Sequence, residues 1–430
     1  MKSKFAKWLY LGSCLLLAAT AASAQLVIDV TLSGGRQIPV AIVPFSGEVD
    51  APQNITPVIG ADLTGTGLFK LFPLTGVANL PTEPSAINFA DWSTRAVEAL
   101  VIGSIAPMPD GRFEVRFRLF DVGKQSQVSS FVYTVGATQL RATAHKIADE
   151  IYEKLLNERG IFSTKVAYVL KRGPRYELQV ADADGFNPQT VLSSLEPIGG
   201  PKWSPDGSKL VYVSYESRKS TVIVQDLATG QRKVVSNFPG DNYAPSWSPD
   251  GKQIALALSK DSIAQIYTVP SNGGEATRIT ESKAIDVSPA FTPDGQSIIF
   301  VSDRSGGPQL YRIPAAGGTP QRLTFDGNYN LSPRMSPDGK LVAYVTRDDK
   351  LRLRIATFEL ATGQFNVLTD GPLDDSPSFA PNGRTILYEA KGGGRGVLGS
   401  VSVDGRVKQR LSSQAGDVRE PAWGPYGSSR

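Results

Sequence analysis

The chain contains 430 residues, with 45 Lys and Arg against 41 Asp and Glu, and it carries only one cysteine and one histidine. A chain of this length has room for two or three domains with cores of their own. One cysteine excludes an internal disulfide and a cysteine-based zinc site, and one histidine leaves little for a His-dependent catalytic or metal centre. The formal net charge of +4 is too small and too dispersed to indicate a nucleic-acid or membrane-surface partner.

The first 24 residues are typical of a signal peptide. Lys2, Lys4 and Lys7 precede an apolar run over residues 8–19, and Ala22-Ser23-Ala24 is a small-residue cleavage motif, so we expect cleavage between Ala24 and Gln25. A lipoprotein alternative rests on Cys14, but Cys14 lies in the middle of the apolar run rather than at its end. Cleavage lowers the net charge from +4 to +1 and removes the cysteine. We therefore expect a protein that is released into an extracytoplasmic compartment and has no transmembrane span.

Residues 25–160 predict a small α/β domain. Strands are expected over residues 27–32, 40–45, 99–105, 113–120 and 128–135. A helix is expected over residues 54–68. A longer one is expected over 138–158, where Leu140, Ala144, Ile147, Ile151 and Leu155 recur at helical spacing.

Residues 165–430 are organised by a 44-residue repeat. A large residue followed by a Pro-containing turn, usually x-Pro-Asp-Gly, recurs at Trp203, Trp247, Phe291, Met335, Phe379 and Trp423. Proline, aspartate and glycine suit a tight turn, and the β-rich runs after each turn predict four short antiparallel strands per repeat. We predict a six-bladed β-propeller in which the segment around Trp423 completes the blade that begins near residue 166.

Motifs that could carry chemistry have simpler explanations. Asp182 and Asp184 resemble the start of a calcium loop but lack its remaining ligands, so a turn is expected. His145 is expected to be a partly exposed surface residue of the long helix. The sequence contains no Gly-x-Ser-x-Gly nucleophile elbow. We predict no catalytic residues and no metal ligands.

The loops that follow the Arg-x-Leu/Ile-Thr strand of each repeat and lead to the next Pro-x-aromatic segment are expected to meet at one mouth of the central channel. They place acidic residues beside tyrosines, and loops on a rigid scaffold are where binding residues concentrate. We therefore expect a recognition face for a protein or peptide.

The chain as a whole resembles the TolB family, periplasmic proteins of the Tol–Pal envelope system of Gram-negative bacteria. The resemblance covers essentially the whole mature chain. It rests on the six turns and on short motifs in the N-terminal domain: Val27-Ile28-Asp29, Gly35-Arg36, Ile38-Pro39, Val43-Pro44-Phe45, Asp91-Trp92 and Leu100-Val101-Ile102-Gly103.

The resemblance implies a non-enzymatic adaptor in outer-membrane integrity and cell division. Its propeller mouth would bind the lipoprotein Pal, and its mature N-terminal segment would bind TolA, with the two contacts coupled. Bacteriocins and other outer-membrane proteins are further partners that it implies, and calcium in the channel is implied by the family alone. The Pal-contact role falls on Asp241, Tyr243, Asp286, Val287, Asn330, Asp374 and Asp375, and the TolA segment includes Val27, Ile28, Asp29, Gly35 and Arg36.

A periplasmic propeller enzyme acting on sugars or peptides is the alternative hypothesis. It requires a carboxylate pair in the channel, and Asp374 and Asp375 form the one adjacent pair in a mouth loop. Because no basic partner is identified by its spacing, and because a fold alone does not assign chemistry, the adaptor is favoured.

Overall fold

The computed structural model describes residues 31–32, 35–411 and 415–427. An α/β domain is followed by a six-bladed β-propeller, as the sequence predicts. The proposed signal peptide and Val27, Ile28 and Asp29 lie outside the described residues. Within the described residues, no helix is long and apolar enough to cross a bilayer.

The α/β domain is a five-stranded sheet with helices on both faces. The order β3-β2-β4-β5-β6 is parallel at its first three strands and antiparallel from β4 to β6. The elements in chain order are β1 (Thr31–Leu32), which belongs to a propeller sheet, then β2 (Ile38–Ile42), α1 (Thr56–Gly65), β3 (Phe69–Leu71), α2 (Phe89–Thr94), β4 (Ala99–Pro107), β5 (Phe113–Asp121), β6 (Ser126–Val135) and α3 (Leu140–Leu156).

Alternation along the strands creates the two cores of this domain. In β4, Val101 packs with α1 and α3 on one face of the sheet, whereas Leu100 and Ile102 pack with Trp92 of α2 on the other. The predicted helices and antiparallel strands are confirmed within a few residues. Sequence reasoning missed β3 and α2, which are too short to show a periodic pattern.

Each propeller blade is a four-stranded antiparallel sheet. Blade 1 begins with β7 (Lys165–Arg172), β8 (Arg175–Asp182) and β9 (Gln189–Ser194). Blade 2 contains β10 (Ile198–Trp203), β11 (Lys209–Ser214), β12 (Thr221–Asp226) and β13 (Arg232–Ser236), and blade 3 contains β14 (Asn242–Trp247), β15 (Gln253–Leu258), β16 (Gln265–Pro270) and β17 (Thr277–Arg278).

The remaining blades follow the same order. Blade 4 contains β18 (Asp286–Phe291), β19 (Ser297–Ser302), β20 (Gln309–Pro314) and β21 (Gln321–Arg322). Blade 5 contains β22 (Asn330–Met335), β23 (Leu341–Arg347), β24 (Leu353–Glu359) and β25 (Phe365–Val367). Blade 6 contains β26 (Asp375–Phe379), β27 (Thr385–Gly392), β28 (Arg395–Ser402) and β29 (Val407–Arg410), with β1 added to its outer edge, and the last strand is β30 (Asp417–Trp423).

The ring closes through β30, which pairs antiparallel with β7 as the innermost strand of blade 1. Val418 lies opposite Leu170 and Trp423 opposite Val166. The predicted closure by the C-terminal strand is therefore confirmed, and the inner edge of blade 1 is hydrogen-bonded.

The turn that opens each repeat also joins neighbouring blades. The indole of Trp203 donates to the carbonyl of Ala422 at 3.1 Å, and that of Trp247 donates to the carbonyl of Lys202 at 3.2 Å. Within the first turn, Asp206 accepts from Ser204 at 2.6 Å and Gly207 has a φ of +72°. In blades 2 and 3 the tryptophan before the turn therefore connects the blade to the one before it, which the sequence pattern had indicated only as packing.

Every innermost strand contains a left-handed residue that the sequence did not predict. These residues are Gly200, Ala244, Ser288, Ser332, Ser376 and Glu420, spaced by 44, with φ between +47° and +61°. The strand pairing shifts register at each of them, as in a β-bulge. Because five are not glycine, each costs about 1 kcal/mol or more, which the closed ring must offset.

Replacing Gly396 with alanine is expected to destabilise the closure. An added Cβ would lie 1.9 Å from the carbonyl oxygen of Val418 on β30, so β28 and β30 must separate. We expect a loss of about 1–3 kcal/mol in the free energy of unfolding, measured by denaturant titration. Gly427→Ala is the control, because no described atom lies within 4 Å of its added Cβ. Equal stability of the two variants would contradict this account of the closure.

Candidate binding face and domain interface

The two ends of the propeller differ in what covers them. Since neighbouring strands are antiparallel, the loops between blades and those joining the second and third strands share one end, here called the mouth face. The turns after each innermost strand and after each third strand form the other end, here called the turn face. The α/β domain packs on the turn face of blades 1 and 6, where it contacts Asp184 and Arg384, and among the described residues it leaves the mouth face open.

The mouth face concentrates exposed apolar side chains. Of the eleven large apolar residues exposed on the described part of the propeller, seven belong to mouth-face loops. Phe325 is 72% exposed and Ile285 50% exposed. The other five are Leu195, Tyr215, Ile263, Leu351 and Leu373. Apolar residues clustered at one end of a rigid scaffold are typical of a protein-binding surface.

Of the residues predicted to contact Pal, four reach the surface of this face or the channel below it. Asp241 is exposed, and Tyr243, Val287 and Asp375 are partly exposed. Asp241 is held by its own amide, which donates to Ser259 Oγ at 2.7 Å. Their contact role stays a prediction.

The other three predicted contacts are buried, and their side chains hold the loops. Asp286 is fully buried, and both of its carboxylate oxygens accept from Nη2 of Arg304, at 2.9 and 3.0 Å. Asn330, also fully buried, donates to Gln309 Oε1 and to the carbonyl of Asp326, both at 2.9 Å. Asp374 is 1% exposed and accepts from the amide of Gly371 at 3.1 Å. Because their side chains are buried, these three residues can affect binding only by fixing the shape of the loops.

Sequence reasoning missed the fourth member of this set and the exposed apolar residues. Asn242 is equivalent to Asp286 by the 44-residue repeat, is fully buried, and bonds the amide and the carbonyl of Phe238 at 2.9 Å. The repeat register could have identified it. Nothing in the sequence marks Phe325 or Ile285 as exposed.

The N-terminal segment enters the structure between the two domains. β1 pairs with β29 at the outer edge of blade 6, with Thr31 opposite Lys408. Gly35 and Arg36 line a cleft of about 450 Å³ between the domains, and the exposed Arg36 pairs with Glu98 at 2.9 Å.

The domain interface contains a buried cluster of charged groups around the one histidine of the chain. His145 Nδ1 lies 2.6 Å from Asp62 Oδ2, and its Nε2 lies 3.9 Å from Asp184 Oδ2 on the propeller. Asp184 also pairs with Arg141. The expectation of a partly exposed surface histidine is wrong, because His145 is only 2% exposed. Asp182 and Asp184 do lie in a turn, as expected, with the amide of Gly185 donating to the carbonyl of Asp182.

The cluster favours the charged form of the imidazole. Burial and the positive charge of Arg141 oppose that charge. The attraction and hydrogen bond of Asp62, together with the attraction of Asp184, outweigh them and raise the pKa of His145 above its ordinary 6.5. Burial raises the pKa of Asp62 to about 6, despite the opposing charge of His145.

Asp62, His145 and Asp184 form the one group of metal-ligand type found among the described residues. The guanidinium of Arg141 already neutralises Asp184 and would repel a cation at this position. The chemistry of the set therefore favours an ion-pair network that joins the two domains over a metal centre.

The comparisons with known proteins agree with this architecture. Residues 26–128 match the TolB amino-terminal domain, and residues 152–427 match the TolB beta propeller domain. The chain belongs to the TolB family. The Tol-Pal system protein TolB of Methylobacillus flagellatus is 65% identical over 95% of each chain, and that of Nitrosomonas europaea is 60% identical over 97% of this chain and 98% of the relative.

A solved TolB structure extends the comparison to three dimensions. The crystal structure of TolB from Acinetobacter baumannii superposes with a TM-score of 0.85 at 38% identity and covers 94% of this chain and 100% of that one. This chain is therefore a Tol–Pal system protein with the TolB arrangement of an α/β domain on a propeller.

The ion-pair network predicts an elevated pKa for the imidazole. Because the folded protein favours the imidazolium form of His145, this charge stabilises the folded state. Its contribution to the free energy of unfolding is complete below about pH 6.5 and is lost as the pH rises through the pKa of His145 in the folded protein. The raised pKa of Asp62 acts in the same direction, because its ionisation on rising pH is disfavoured by burial. His145 is the only histidine, so its proton NMR signal can be followed without labelling.

We expect that signal to titrate above pH 6.5, and Asp184→Asn to shift its midpoint downward. Asp206→Asn is the control, because Asp206 lies in a turn of blade 2 outside this network. A wild-type midpoint at or below 6.5 would show that the network does not hold a charged imidazole.

Proposed function

We propose that this protein is a non-enzymatic periplasmic adaptor of the Tol–Pal system. It binds Pal through the mouth face and TolA through the mature N-terminal segment that begins at Gln25, after cleavage at Ala24, and so supports outer-membrane integrity and constriction at cell division. The observation that carries the proposal is the group of exposed apolar loops on the face that the α/β domain leaves open.

The rigidity of the mouth loops supports this role. Buried Asn242, Asp286, Asn330 and Asp374 fix the loops from below, so the apolar residues above them are already ordered before a partner arrives. A preformed surface loses less conformational entropy on association than a flexible one.

The placement of the N-terminal segment supports the second contact. β1 is an added strand on the outer edge of blade 6, held by two residues, and an extended segment of this kind can pair with another sheet edge. Because it enters between the domains, its release would leave the propeller ring intact.

An enzymatic function receives less support. That function requires both Asp374 and Asp375 as a carboxylate pair. Asp374 is buried and accepts a hydrogen bond from the amide of Gly371, so the two carboxylates are not both available to a substrate. The proposal includes no catalytic residue and no resident cofactor.

Substitution of the apolar loops tests the mouth face. We expect Ile285→Ser with Phe325→Ser to weaken the binding of soluble Pal by about tenfold or more in titration calorimetry, as for central apolar anchors of protein interfaces. Phe365→Ser is the control, since Phe365 is 44% exposed but lies on the outermost strand of blade 5. If the double variant bound Pal with wild-type affinity, the mouth face would not be the Pal site.

Removal of residues 25–33 tests the N-terminal segment. The truncated protein should lose capture of TolA in a pull-down, while its melting temperature changes little because, of the described residues of this segment, the two-residue strand β1 is the part that pairs with the propeller. Truncated protein that still captured TolA would exclude this segment as the TolA site.

A further inference from the structure

One level of the channel carries two long cationic side chains. The positions equivalent to Lys202 by the 44-residue repeat all lie on innermost strands, and they are occupied in ring order by Ala422, Lys202, Ser246, Ala290, Arg334 and Ser378. Lys202 belongs to blade 2 and Arg334 to blade 5. In a ring of six, these two blades are opposite each other, so the two cations face each other across the channel between four small residues.

Neither cation has an ion-pair partner within 4 Å among the described residues. Lys202 Nζ donates to the carbonyl of Pro201 at 3.0 Å, and Arg334 Nη1 donates to the carbonyl of Pro333 at 2.7 Å. The Nε atom of Arg334 is buried and has no hydrogen-bond partner in the described part of the chain. Buried donors of this kind are costly unless an acceptor reaches them.

The nearest carboxylates are occupied elsewhere. Glu420 accepts from the amide of Gly200, and Asp375 accepts from the amide of Ser376. Both lie closer to the mouth along their strands than the Lys202 level does. They act on the cations at longer range, without a direct pair.

The electrostatics at this level disfavour a second positive charge. Burial, and after it the charge of Arg334, lower the pKa of Lys202 to about 7, although Glu420 and Asp375 act in the opposite direction. Burial also lowers the pKa of Arg334 to about 10. A calcium ion, which the family resemblance implies for the channel, does not fit at this level because it would face two cations.

We propose that Lys202 and Arg334 form a carboxylate-binding site inside the propeller channel. The planar guanidinium suits the geometry of a carboxylate, and the ammonium supplies a second donor from the opposite wall. Glu420 and Asp375 limit the negative charge that the site accepts, which favours a singly charged carboxylate over a phosphate dianion.

The carboxylate comes either from a small molecule or from an acidic side chain of the protein that covers the mouth face. The second source rests on the proposed function, and the first does not. Two measurements separate them, one with sodium acetate and one with soluble Pal.

The acetate measurement compares melting temperatures in sodium acetate and sodium chloride at matched ionic strength. We expect acetate to raise the melting temperature of the wild-type protein, more at pH 6 than at pH 8.5, because Lys202 loses its charge as the pH rises through about 7. The double variant Lys202→Met with Arg334→Met should lose the acetate effect. Lys252→Met is the control, because Lys252 is 83% exposed in a turn outside the channel.

The double variant should fold, since neither cation that it replaces makes a direct ion pair within the described residues, and its melting temperature in chloride is the baseline for its acetate effect. In the second measurement, a carboxylate supplied by Pal would make the double variant bind Pal about tenfold or more weakly. Loss of either the acetate effect or the Pal affinity in the double variant, but not in Lys252→Met, supports the site.

If neither measurement depends on Lys202 and Arg334, the proposal is overturned. If wild-type protein does not bind Pal at all, the proposed function fails, and the acetate measurement alone decides the carboxylate site.

Discussion

The structure depends on the hydrogen-bonded pairing of β30 with β7. Without it, blade 1 would have three strands and an open inner edge, and the six blades would form an arc instead of a ring. The ring in turn holds the innermost strands at a fixed distance from the axis. The left-handed residues on these strands and the cationic pair of Lys202 and Arg334 persist only because the surrounding ring cannot relax.

The closed ring separates two kinds of contact. The turn face receives the α/β domain through charged side chains near the closure, among them Asp184 with Arg141, and Arg384 with Glu158 at 3.0 Å. The mouth face keeps its apolar side chains exposed. The propeller can therefore hold one domain permanently and offer the other end to a partner, without the two contacts competing for surface.

The sequence was sufficient for the blades and insufficient for much of the site. A repeated turn of Pro, Asp and Gly is a local signal, so the number of blades and the closing strand could be predicted. The burial of His145 could not, because it depends on Asp62 of α1 and on Asp184 of the propeller, and the periodicity of α3 reports neither contact. The left-handed Ser288 could not either, since serine carries no marker for that conformation and the closed ring imposes it. The exposure of Phe325 depends on the loop arrangement, which periodicity does not report.

The closing strand also sets an order in time. The residues that β30 and β7 bring together are roughly 250 positions apart in the chain, so the ring remains open until residues 417–423 have left the ribosome. Until then, β7 has no partner on its inner side and the blades form an incomplete arc. Closure of the propeller therefore depends on the synthesis of its final strand, and the complete ring forms only after that strand is available.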